Sequence, residues 1–310
     1  MTSEPSRPHH LVAITGASGL LGSALSRALR DRGDAVIHLV RRPPRADLPV
    51  GVREVRWDPS RGLSDPEALQ GITGAVNLAG ASLGGRRWTT RYKQELVHSR
   101  VTNTITLCQA LTALPDPPRL LSGSAIGVYG SRGDARLTEA SALGVGFVAD
   151  LARDWEHATW SAQDAGLSVA HLRTGIVLSR SGGALARLLP LVRFGLGGPM
   201  GDGTQFWSWI ALPDHVAAMI WLLDHPEVTG PVNLTAPEPE RQKMVVRALA
   251  SVLHRPSVVP APTIALRLAL GEMAGEVLGS QRVLPTVLQE HHFPFRYPDL
   301  ESAAAWVTDA

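Results

Sequence analysis

The glycines of TGASGLLG, Gly16, Gly19 and Gly22, carry the clearest chemical signal in the chain. They fall between an apolar run at residues 9–15 and a segment of helical periodicity at residues 19–32. In that context Gly16 allows a tight turn, Gly19 lets a pyrophosphate approach the backbone, and Gly22 permits close helix–strand packing. The amides around Ser18, Leu20 and Leu21 sit at the positive end of the helix that follows, where phosphate oxygens bind. The alternative is a turn that serves packing alone. The next apolar strand, residues 35–40, ends at Arg41 and Arg42, where an NAD site usually has a carboxylate on the ribose hydroxyls. Guanidinium groups there would instead bind a ribose phosphate, so the expected cofactor is NADP(H). The alternative is a pair of solvated surface charges. Asp58, in VRWDP, either accepts a bond from the adenine amino group or caps the following turn.

Further candidates stand at the ends of later strands. AVNLAGAS brings Leu78, Ala79 and Gly80 to the carboxyl edge of a strand, where small residues leave room for a ribose. Ser122, in SGSAIGVYG, joins this cofactor-facing set, and Arg173 closes a strand on the expected nicotinamide side. Arg100 lies within a long helical pattern; its guanidinium reaches a cofactor phosphate, a substrate anion or a carboxylate on a neighbouring helix. Lys93 lies seven residues earlier, near the same helical face. Trp207 and Trp209, after a glycine-rich loop, either line a pocket or belong to a core.

The elements that must position these residues alternate in type. Strands are expected at residues 9–15, 35–40, 52–56, 75–78, 119–124 and 168–173, and the longest helices at residues 89–113 and 147–165. Such an order predicts an α/β, Rossmann-like, doubly wound parallel sheet over residues 11–180. Residues 181–310 read as a smaller C-terminal, substrate-side lobe, with helices near 213–224, 241–254 and 264–278 and a late strand returning to the sheet near 207–235.

Composition excludes several other classes. The 310 residues carry 30 basic and 28 acidic side chains, a net charge of +2, without a long run of one sign. No nucleic-acid or membrane-surface binding is therefore expected. No secretory signal and no run of about 18 apolar residues is evident, so a cytoplasmic protein is expected. Cys108, the single cysteine, lies in the apolar-periodic ITLCQAL and reads as a buried side chain. The histidines give no metal-ligand spacing: His9 and His10 belong to the terminus, and His291 and His292 lack acidic company. No serine stands in a G-x-S-x-G elbow.

TGASGLLG, VNLAGAS and SGSAIGVYG, in that order and spacing, resemble the extended short-chain dehydrogenase/reductase superfamily of nucleotide-sugar epimerases and dehydratases. RRWTTRYKQELVHSRVTNT, GDGTQFWSWI, GPVNLTAPEP and the tail from VPAPTIALRLALGEMAGEVLGSQ onward resemble an atypical branch, the epimerase family proteins. The resemblance spans residues 11–306 and implies a small C-terminal domain of unknown function at about 258–306. It also implies a catalytic serine, matched by Ser124, and a Tyr-x-x-x-Lys pair, whose positions hold Val148 and Ala152 beside Phe147. Tyr129, in the adjacent VYG, is the substitute phenol this sequence offers. Two functions follow from the resemblance. One is an NADP(H)-dependent oxidoreductase or epimerase acting on a small carbonyl or sugar-like substrate. The other is a non-catalytic NADP(H)-binding redox sensor or regulator, in line with the cell-division label of some relatives. A monomer and a homodimer are both compatible with the sequence.

Overall fold

The computed structural model describes residues 10–63 and 65–308. Its centre is an eight-stranded sheet in the order β12-β8-β6-β5-β1-β2-β3-β4. The strands are β1 Leu11–Thr15, β2 Ala35–Val40, β3 Val52–Asp58, β4 Gly62–Leu63, β5 Gly74–Asn77, β6 Arg119–Ala125, β8 Val169–Thr174 and β12 Gly230–Leu234. All are parallel except β4, which turns back antiparallel on β3. The order reverses on either side of β1, and that reversal opens a crevice at the carboxyl edge, where such sheets bind ligands.

Near-continuous apolar runs explain why these strands are buried on both faces. Helix α1, Leu20–Asp31, covers one face with Leu25 and Leu29 at helical spacing, together with α6, Leu212–Asp224. Helix α2, Thr90–Thr112, covers the other with Leu107, Cys108 and Leu111. Thr89 caps α2 by accepting the Tyr92 amide at 3.2 Å. Burial pushes the Cys108 thiol up to about 12, which keeps it protonated among apolar neighbours.

A separate core gathers the later segments. Helices α5 Leu185–Arg193, α7 Gln242–Val252 and α11 Leu300–Thr308 enclose Trp207, Trp209, Val245 and Ala304. Both tryptophans are buried there, Trp209 completely. Short strand pairs stitch this region together. β9 Ile176–Leu178 runs beside β11 Trp209–Ala211, and β10 Phe206–Trp207 opposes β13 Glu240–Arg241. β7 Arg136–Leu137 lies beside β14 Arg282–Val283. The returning strand is β12, paired with β8, whereas residues 206–211 stay out of the central sheet.

Two expected helices are each interrupted. Residues 147–165 form α3 Phe147–His157 and α4 Trp160–Asp164, because buried Thr159 turns its hydroxyl onto the Glu156 carbonyl and His171. Residues 263–278 form α8 Thr263–Leu270 and α9 Ala274–Leu278, broken at Gly271, whose φ of +62° is left-handed. The short α10 spans Thr286–Glu290. His9 lies outside the described residues, and His10 is tied down. Its ring meets Thr73 Oγ1 at 2.9 Å and Asp224 at 3.1 Å.

Candidate functional site

The glycine turn closes against the end of β5. A Cβ on Gly16, where φ is +68°, would stand 2.8 Å from the Leu78 carbonyl, and one on Gly22 would stand 2.3 Å from Gly16 O. Packing therefore dictates both glycines. Gly19 differs: a Cβ there would meet only Gly16 O, at 3.3 Å, and the residue is exposed. What a glycine keeps clear at this position is the space outside the turn. The same residue is the N-cap of α1, yet no side chain caps the helix and its first turn holds no acid. The amides of Leu20 and Leu21 thus open on an uncompensated positive helix end, with Ser18 exposed beside them. Amides presented in this way form a cradle that suits an anion.

A buried polar network fixes that cradle. Thr15 Oγ1 donates to Asn77 Oδ1 at 2.6 Å and accepts the amides of Leu78 and Ala79 at 3.2 Å each. Asn77 is held in turn by Asn103 and Thr104 of α2, and these by the indoles of Trp57 and Trp155. Sequence reasoning passed over these residues. Their signal was a polar side chain inside an apolar run, which folding tolerates only when it is paired.

The two arginines after β2 part company. Arg42 forms a fork onto Glu54 of β3, with contacts of 2.8 and 2.5 Å, and Arg45 adds a third at 3.0 Å. The Glu54 side chain is 1% exposed, and the Arg42 guanidinium bonded to it holds its carboxyl down at about 2. Arg41 is exposed and has no partner among the described residues. Asp58 accepts the amide and hydroxyl of Ser60 at 2.9 and 2.7 Å, so it caps the turn from β3 to β4.

On the other side of the crevice the candidate catalytic residues are linked to one another. Ser124 Oγ donates to Glu156 Oε1 at 2.6 Å, and Arg173 grips the same carboxylate at 2.8 and 2.9 Å. Arg173 also donates to Tyr129 Oη at 2.8 Å, and the phenol donates to Asn233 at 2.7 Å. Burial alone would favour neutral forms. The ion pair prevails, holding Glu156 below and Arg173 above its ordinary value. Tyr129 is wholly enclosed, and burial raises its pKa. Ser122 is also fully buried, its hydroxyl without a partner among the described residues. On α3, Val148, Ala152 and Glu156 share one buried face, and Val148 packs against Gly127. That helix presents a carboxylate, already paired, and two apolar side chains. Glu156 is a further residue the sequence reading missed.

Arg100 is buried without a carboxylate partner among the described residues. Its Nη1 and Nη2 donate to the carbonyls of Leu96 and Ala81 at 3.1 and 2.9 Å, and its guanidinium lies 5.1 Å from the Trp155 ring. A Cβ on Gly80 would stand 3.0 Å from it. Burial lowers Arg100 to about 10. Lys93 pairs instead with Glu272 in the turn before α9.

Among the described residues no cluster could hold a metal ion, and no helix is long and apolar enough to cross a membrane. A polar cleft of about 440 Å³, bordered by Asp134, Asp202, Arg241 and Arg267, takes no lining residue from the glycine turn or from β5 and β6.

Comparison with known proteins agrees with this geometry. Residues 12–234 match the NAD dependent epimerase/dehydratase family, and residues 261–307 match a domain of unknown function, DUF1731. The chain is 40% identical over 299 residues to epimerase family protein Mb2239 of Mycobacterium bovis, covering 96% of this chain and 97% of that protein. It is 35% identical over 292 residues to epimerase family protein SAOUHSC_00792 of Staphylococcus aureus, covering 94% and 96%. Among solved structures, human epimerase family protein SDR39U1 with NADPH superposes with a TM-score of 0.85 at 29% identity, over 96% of this chain and 98% of that one. A nucleoside-diphosphate sugar epimerase from Corynebacterium glutamicum gives a TM-score of 0.78 at 36% identity, over 96% of this chain and 57% of that longer one. An uncapped glycine turn at the sheet's switch point, a Rossmann-like strand order and relatives matched from end to end lead to one assignment: the chain belongs to the NAD dependent epimerase/dehydratase family.

Proposed function

We propose that this protein binds NADP(H) across the carboxyl edge of its sheet and transfers hydride between that cofactor and a small carbonyl or sugar-like substrate. The observation that carries the reading is the pairing of two unsatisfied features on adjacent elements. The start of α1 lacks any side-chain cap, and Arg41, at the end of the neighbouring β2, lacks any partner among the described residues. Pyrophosphate fits the first and a ribose 2′-phosphate the second. The structure of the human relative was solved with NADPH, which supports the same choice of dinucleotide. Leu78, Ala79 and Gly80 then border the ribose with backbone and small side chains.

When bound, the nicotinamide supplies or accepts the hydride. The chain's own part is positioning. Thr15 and Asn77 hold the ends of β1 and β5 at fixed separation, and Glu156 with Arg173 holds the ends of α3 and β8. Ser124, whose own proton is donated to Glu156, accepts a hydrogen bond from a substrate hydroxyl through its remaining lone pairs. Since Val148 and Ala152 cannot exchange protons and Tyr129 is enclosed, water takes or gives the proton.

The same enclosure favours a second reading, a non-catalytic redox sensor that binds NADP(H) without turnover. Calorimetry of nucleotide-stripped protein against NADPH and NADH tests the binding. Absorbance at the reduced nicotinamide band during a screen of carbonyl compounds tests the chemistry. Oxidation of bound NADPH supports the enzyme; tight binding without any oxidation supports the sensor. Binding of neither dinucleotide at millimolar concentration removes both.

A further inference from the structure

The loop that leaves β5, residues 80–88, is met by arginines from three directions. Arg100 rises from α2 to the Ala81 carbonyl at 2.9 Å, and Arg187 reaches across from α5 to the Gly84 carbonyl at 2.7 Å. Arg87, within the loop, lies against Gly271, where a Cβ would stand 2.9 Å from its Nε. None of the three has a carboxylate partner among the described residues. Carbonyl oxygens orient Arg100 and Arg187 but carry no formal charge to balance theirs, and for buried Arg100 that is costly unless a counter-charge arrives. Residues 182 and 183, just before α5, pack on Leu20 beside the glycine turn, and Arg187 of α5 reaches the loop, so α5 contacts both.

We infer that Arg100, with Arg187 at the rim, receives an oxyanion, a phosphate or carboxylate borne by the substrate, beside the carboxyl edge of β5. The inference rests on the reading that the dinucleotide lies over the glycine turn. Gly16 abuts Leu78 and Ala79, whereas Arg100 touches the chain beyond them, at Gly80 and Ala81. At Ala81, one residue past the stretch that borders the ribose, Arg100 would meet the substrate and select among carbonyl or sugar-like compounds for those carrying an acid group. Its planar fork suits such a group better than a lysine would.

The test uses the full chain saturated with NADPH, titrated at constant ionic strength with inorganic phosphate and, separately, with acetate. Saturable binding of at least one is expected, and the preferred anion identifies the acid group. Arg100→Gln weakens that binding by about tenfold or more, and Arg100→Lys restores part of it. Exposed Arg187→Gln, which leaves the core untouched, weakens it by about threefold or more and serves if Arg100→Gln does not fold. Absence of saturable binding of either anion, or wild-type titration curves for these variants, overturns the inference. An equal loss of NADPH and phosphate affinity in Arg100→Gln also overturns it, by assigning the residue to the cofactor. Phosphate titrated onto nucleotide-free Arg41→Gln protein separates the two readings. Arg100-dependent binding without any dinucleotide binding would leave the anion site standing and the dinucleotide site refuted.

Discussion

Single side chains divide here according to whether their charge is already spent. Arg41 and Arg42 are neighbours of one type, yet Arg42 is locked to Glu54 while Arg41 projects free of any described partner. Arg41→Ala is expected to weaken NADPH binding by about ten- to a hundredfold while changing NADH binding only a few-fold. Equal losses for both nucleotides, read by calorimetry, would remove the phosphate-recognition role. Arg42→Ala should instead lower the melting temperature, since Glu54 keeps only Arg45. Acid should expose the same pair. Glu54 is held at about 2, well below its ordinary 4.5, so its contribution to stability is complete above about 4.5 and disappears as pH falls toward 2. Denaturant titrations of the wild type and Glu54→Gln should therefore differ at pH 6 and converge near pH 2, at about the value cited for the carboxyl. A gap that stays constant across that range would mean the ion pair is not its source. The arginine doublet was legible in the sequence as a charged strand end. Which member stays free was not, because Glu54 lies twelve residues from Arg42 and is brought to it only by the pairing of β2 with β3.

At the scale of elements, the turn between β1 and α1 separates glycines that serve packing from one that serves a ligand. Gly22→Ala drives a Cβ to 2.3 Å from Gly16 O, and thermal melting should show a clear loss of stability. Gly19→Ala meets its neighbour at 3.3 Å, so it should fold nearly as well as the wild type but lose dinucleotide affinity. Unchanged NADPH affinity in Gly19→Ala would count against the pyrophosphate cradle. All the sheet strands but the short β4, and α1 and α2, were readable because apolar periodicity and turn residues are local. The breaks in the later helices were not. Thr159 stops α3 and α4 from merging through its contact with His171 on β8, and Gly271 turns where Arg87 of a distant loop lies against it. Neither partner is within reach of a local pattern.

Over the whole molecule, a few long-range polar contacts bind the C-terminal region to the sheet and its helices. Asp214, in the first turn of α6, accepts the amides of Arg296 and Tyr297 at 2.9 Å each, and burial holds its carboxyl above its ordinary value. Asp214→Asn keeps one acceptor and loses the other, so hydrogen exchange of residues 293–308 should quicken while that of β1 and β5 stays slow. Uniform exchange rates in both proteins would show that apolar packing alone secures this segment. The sequence by itself determined the alternation of strands and helices, the glycine turn and the absence of tyrosine and lysine on α3, since each follows from residue type and short-range spacing. Tertiary structure alone decided which polar groups are spent and which are left over. Ser124, Glu156, Arg173, Tyr129 and Asn233 come from four separate segments, and Arg100 is without a carboxylate only because no described strand or helix carries one to it. Desolvation makes that distinction costly, and desolvation exists only once the chain has folded.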